Sequence, residues 1–112
     1  MAEREVQIAQ TEALFRDVNE RIAESAERFN ARDAEFVCEC ADPACAERVP
    51  ATLEQYEEVR SDGTHFLLSP GHEFPEVERV VKQPHKRSVV VEKFNAVVAR
   101  TARRLNPRPE TA

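Results

Sequence analysis

Ile8, Phe15, Ile22 and Phe29 recur every seven residues along a stretch free of glycine and proline, with Val18 between two of them and Thr11 and Ser25 as polar breaks. An apolar stripe at this spacing predicts one amphipathic helix over residues 3–31. Glu12 with Arg16, Asp17 with Arg21, and Glu24 with Arg28 stand four apart on it in the favourable order. Each such surface pair contributes only about 0.2–0.5 kcal/mol, so a helix this long has to be held by packing of its apolar face. Two partners fit that stripe. One is the chain's own sheet. The other is a second copy, giving a homodimer through the N-terminal helix, although strict a/d heptads are not sustained.

Beyond the helix the period changes. The run AEFVCEC (34–40) reads as a strand entering a turn punctuated by Asp42-Pro43. Thr52 followed by Gln55 is a capping-box pair and starts a short helix at Leu53, which SDGT (61–64) ends. HFLLS (65–69) reads as a strand, and Pro70-Gly71 as a turn leading to His72. VERVVKQ (77–83) and SVVVEKF (88–94) are rich in β-branched residues and flank PHKR (84–87), the clearest hairpin signal in the chain. Residues 95–112 start helical, then fray into a basic tail with two prolines. The pattern predicts an α+β fold in which a long N-terminal helix packs on a small antiparallel sheet. That sheet includes the β-hairpin of the C-terminal half, and the domain closes at residue 94.

Composition sharpens this picture. With 112 residues, no Trp, one Tyr and six Phe, the chain builds one small domain with a thin core. A metal that ties loops together stabilises such a chain most. The formal charge is −5, split into −8 over residues 1–60 and +3 over 61–112. The acidic front half repels nucleic acid, and the basic half is too weak to form a phosphate footprint by itself. No run is long and apolar enough to span a membrane, and MAEREVQIAQ has no apolar core segment of a secretory signal. A cytoplasmic location is the expectation. Reduced thiols and an odd cysteine count then favour metal binding over a disulfide framework.

All three cysteines fall in FVCECADPAC, at Cys38, Cys40 and Cys45. In an extended segment, residues i and i+2 face the same side, so Cys38 and Cys40 aim at one volume. The Asp42-Pro43 turn returns Cys45 to it. Tetrahedral zinc wants a fourth ligand, and the candidates rank His72, then His65, then His85. His72 leads because the Pro-Gly turn before it frees the backbone to point its ring inward. Iron–sulfur chemistry is disfavoured, since three cysteines cannot supply the usual four. The alternatives are a redox-active thiol cluster and plain buried cysteine, which behaves as a small apolar residue. Acidic Glu39, Asp42 and Glu47 around the cluster argue for a surface loop.

The order LFRDVNERI, EFVCECADPAC, L..YE.VR, F...PGHE, VE.VV and VVVEK resembles a family of small uncharacterised proteins of high-GC bacteria, over roughly residues 12–93. The resemblance implies that Cys38, Cys40, Cys45 and His72 belong together as one metal site, and it implies no activity. The family's members often end in an acidic or Asp-Pro-Arg-type tail, whereas this chain ends in the basic ARTARRLNPRP.

No enzyme pattern is met. Three thiolates make zinc a poor Lewis acid, and the zinc-deaminase order H-x-E before P-C-x-x-C is absent. Glu73 and Glu39 are the candidate general bases near the cluster if a zinc position were open. The expected function is a small zinc-binding protein, the Zn2+ structural, that acts as a regulatory, protein-interaction module. A thiol-based redox or metal sensor is the alternative, and a nucleic-acid-associated regulator working through the basic tail is the weaker one. A protein partner is expected, with no membrane and no small-molecule substrate.

Overall fold

A computed structural model describes residues 2–108. Its elements run α1 (Ala2–Arg28), β1 (Asp33–Val37), β2 (Arg48–Thr52), α2 (Leu53–Arg60), β3 (His65–Leu68), β4 (Glu78–His85), β5 (Ser88–Lys93) and α3 (Ala96–Arg104). The fold is α+β, a long N-terminal helix over small antiparallel sheets. The described residues form two sheets, a β1–β2 ribbon and a three-stranded sheet in the order β3-β5-β4.

Local chemistry sets the element ends. α1 stops where Asn30 takes a positive φ of 57°. There Asn30 N–H bonds the Glu27 carbonyl and Ala31 N–H bonds that of Ala26, the paired bonds of a Schellman ending. α2 begins on the expected capping box. Gln55 N–H donates to Thr52 Oγ1 at 3.0 Å, and Thr52 N–H donates to Gln55 Oε1 at 2.9 Å. In the hairpin, β5 is buried along Ser88–Val91, as a central strand rich in valine should be. β4 is the exposed edge, and two register shifts break its ladder.

β2 was not legible. Arg48–Thr52 contains Pro50, which argues against a strand interior. The segment pairs as the edge of a two-stranded ribbon, in register Phe36↔Val49 and Val37↔Arg48. An edge position needs fewer donors, so the proline is tolerated there.

The face of α1 that packs inward differs from the expected stripe. Leu14, Val18 and Phe29 are exposed, Phe29 to 76%. Ile8, Phe15 and Ile22 lie half-buried at the margin. The buried line is Ala9, Glu12, Ala13, Arg16, Asn19 and Ala23, a row of small and polar side chains. Glu12 and Arg16 therefore do not form the expected surface pair. Lys93 Nζ donates to Glu12 Oε2 at 2.7 Å and also to Glu78, and all three side chains are fully buried. Arg16 donates to the carbonyls of Gly63 at 3.0 Å and Ala102 at 2.8 Å. Lys93 Nζ and the Arg16 guanidinium each lie 4.5 Å from the Phe66 ring centroid, so this aromatic carries a cation–π contact to both.

The expected boundary at residue 94 is not a break in packing. Asn95 caps α3 by accepting from Val97 and Val98 N–H, and Val98, Thr101 and Ala102 are buried, with the Ala102 carbonyl bound by Arg16 of α1. Arg108, expected in a solvated tail, forks across Glu20 of α1 and Glu57 of α2. The packed unit therefore continues through α3 to Arg108. Of the tail over 95–112 expected to fray after a helical start, residues 109–112 lie outside the described residues.

Burial pushes the Glu12 carboxyl up to about 8, against the opposing pull of Lys93. The folded chain then holds a proton there that the unfolded chain has already released above about 4.5. This group's contribution to stability falls as pH rises from about 4.5 to about 8, by at most about 1.4 kcal/mol per pH unit. Urea denaturation at the two ends of that window should show a larger loss for the native chain than for Glu12→Gln, which has no proton to lose.

Candidate metal centre

The β1–β2 ribbon positions the cysteines. Its ladder continues one bond past the strands, with Cys38 N–H on the Glu47 carbonyl at 3.1 Å, so residues 38–47 form a closed loop. At Glu39 the chain leaves β2 and reaches β3, where Glu39 N–H bonds the Leu67 carbonyl at 2.9 Å. Inside the loop, Cys45 N–H bonds the Asp42 carbonyl at 3.0 Å, and Ala44 N–H bonds Asp42 Oδ1 at 2.9 Å. This turn brings Cys45 back towards Cys38 and Cys40.

His72 arrives from the β3–β4 connection. Its N–H bonds the Ser69 carbonyl at 3.1 Å across Pro70-Gly71, with Gly71 at φ +86°. Proline at the second position and positive φ at the third define a type II turn. No atom lies within 4 Å of where a Cβ on Gly71 would stand, so the glycine is required by backbone conformation and not by crowding. Glu73, weighed as a general base, accepts from Gly71 N–H at 3.0 Å and braces the turn.

The turn and the loop meet. Donor atoms of Cys38, Cys40, Cys45 and His72 all lie within 4.8 Å of one another, an arrangement that could hold a metal ion. His72 Nδ1 is 3.5 Å from Cys45 Sγ and 3.7 Å from Cys38 Sγ. Cys38 and Cys40 are buried and Cys45 is half-buried, and an open cleft beside the cluster is lined by Cys40, Gly71 and His72. Ser69 N–H points at Cys38 Sγ from 3.2 Å. A hydrogen bond from Cys38 pulls the Cys40 thiol down to about 5, the same bond pushes Cys38 up, and burial pushes Cys45 up.

The other histidines lie elsewhere. His65 Nε2 is 3.2 Å from Glu92 and 3.5 Å from Asp62, paired across β3 and β5. His85 sits exposed on the hairpin, accepting from Arg87 N–H.

Glu39, expected on a surface loop, is fully buried. The alternation that turns Cys38 and Cys40 to one side sends Glu39 to the other, beneath α1. Its oxygens accept from Asn19 Nδ2 at 2.7 Å and Leu67 N–H at 2.9 Å. Asn19 also exchanges two 2.8 Å bonds with the Val37 backbone. Burial pushes the Glu39 carboxyl up, opposed by these donors. Placed there, Glu39 cannot serve as a base at the cluster. Asn19 and Glu39 are the supporting residues that sequence reasoning missed. The signal for Glu39 was its place between two cysteines in an extended run; Asn19 had none beyond being an amide within a helix.

Cobalt(II) titration of the metal-free protein, followed by thiolate-to-cobalt absorption, should saturate at about one equivalent per chain. Cys40→Ser should lose the thiolate bands or require far higher cobalt. No protein-family model, curated protein or solved structure matches this chain.

Proposed function

We propose that the chain is a zinc protein in which Zn2+ is structural, and that the zinc-bound domain serves as a protein-interaction module. One observation carries the reading, the convergence of three sulfurs and one imidazole nitrogen on a single volume. With Zn–S near 2.3 Å and Zn–N near 2.0 Å, a tetrahedral site has sulfur–nitrogen edges of about 3.5 Å. The separations of His72 Nδ1 from Cys45 and Cys38, 3.5 and 3.7 Å, match that edge. Three thiolates and a neutral imidazole fill four positions, which is the composition of closed structural sites. The resemblance to the FVCEC…C…PGHE family points to the same four residues. Zinc here would clamp the β1–β2 loop to the β3–β4 turn. Among the described residues no helix is long and apolar enough to cross a membrane.

Elemental analysis of protein purified without added metal should find about one zinc per chain. Removing it with a chelator should lower the melting temperature by several degrees or more, as loss of a structural metal does. Absence of stoichiometric metal would end the reading. Affinity capture with zinc-loaded and zinc-stripped protein should recover a partner only in the loaded state.

A thiol sensor is the second reading, favoured by the half-buried Cys45, the least enclosed of the three thiols. Treatment with millimolar peroxide separates the two. Zinc release with disulfide formation supports the sensor, whereas retained zinc and free thiols after denaturation support a purely structural site.

A further inference from the structure

We propose that the outer face of α1 is a self-association surface that joins two copies of this chain as an antiparallel helix pair. Leu14, Val18, Ile22, Ser25 and Phe29 follow one another at three- and four-residue spacing, so they form a single stripe. It faces away from the buried line of α1. Leu14, Val18 and Phe29 are 63%, 40% and 76% exposed, a concentration of large apolar side chains on one helix of a small domain.

The occupant follows from the charges beside the stripe. Asp17, Arg21, Glu24 and Arg28 lie about a quarter turn round the helix, in one row with alternating sign. All four are exposed, and none enters an ion pair among the described residues. The opposite margin of the stripe carries Ile8, Phe15 and Ala26, half-buried against the domain. Only one flank is charged, and that decides the orientation. In an antiparallel pair each flank meets the same flank of its mate, whereas in a parallel pair each meets the opposite one. Antiparallel packing centred near Ile22 sets Asp17 against the partner's Arg28 and Arg21 against the partner's Glu24, and symmetry repeats both. A row reading minus, plus, minus, plus is complementary to itself when reversed. A parallel pair would leave all four charges facing apolar side chains. The contact is isologous and closes at two copies. The stripe spans about four turns, roughly 22 Å of helix, so the dimer is a modest, concentration-dependent one.

Sedimentation equilibrium of the full, zinc-loaded chain over a roughly hundredfold concentration range should show a monomer–dimer equilibrium. Arg21→Glu places like charges together twice and should weaken dimerisation about tenfold. The double variant Arg21→Glu, Glu24→Arg exchanges the inner two charges, keeps every cross-pair opposite in sign and should restore it. Val18→Glu should abolish the dimer. The three substituted positions, 18, 21 and 24, are exposed, so far-ultraviolet circular dichroism and melting should stay close to the native protein. Three results would each overturn the proposal: a monomer at every concentration, a dimer indifferent to Val18→Glu, or a double variant no better than Arg21→Glu. A partner of another kind captured through the stripe by a strictly monomeric chain would likewise assign the face elsewhere.

Discussion

The structure depends on buried polar side chains on the inner face of α1 finding fixed partners. Glu12, Arg16 and Asn19 enter the interior on successive turns, and each binds a different part of the fold. Glu12 holds Lys93 of β5, Arg16 holds the backbone before β3 and at α3, and Asn19 holds the end of β1 and Glu39. A charged group in the interior costs several kcal/mol unless it is paired and hydrogen-bonded, so each contact admits little variation in geometry. This seam gives the helix a unique rotation and register over the sheets. An apolar stripe would have packed with more freedom, and the alanines between the polar residues let the backbones approach closely.

The seam also organises the candidate metal centre. Asn19 ties α1 to Val37 and to Glu39, and Glu39 ties the segment to Leu67 of β3. Cys38 and Cys40, on either side of Glu39, are thereby held on the face opposite to it, on a short stretch bonded on one side to Glu47 and on the other to Leu67 of β3. His72 comes four residues after Leu68 through a turn whose shape is set by Pro70 and Gly71. Backbone hydrogen bonds and one buried carboxylate position the segments that carry the four donors.

Burying polar groups on the inner face has a consequence outside. A helix with one buried face usually spends its large apolar residues there. In α1 those residues lie on the outside or at the margin, and the outward charges alternate in sign along one row. The same choice that locks the helix to its domain leaves a surface suited to a second helix.

Much of the local structure is determined by the sequence alone. The α1 helical pattern, the Thr52–Gln55 capping box, the Pro70-Gly71 turn, the β4–β5 hairpin and the grouping of the three cysteines all follow from interactions between residues a few positions apart. Short-range sterics and hydrogen bonding decide such features, so they can be read without the rest of the chain. The ranking of His72 over His65 and His85 also followed from a local turn. What the tertiary structure decided is which polar side chains go inside. Glu12 and Lys93 are 81 residues apart, Arg16 and Ala102 are 86, and Asn19 and Glu39 are 20. A carboxylate looks like a surface residue until a distant donor compensates its desolvation, and no local period announces that donor. The rotation of α1, the burial of Glu39, the Pro50-bearing edge strand and the docking of α3 all rest on such distant pairings.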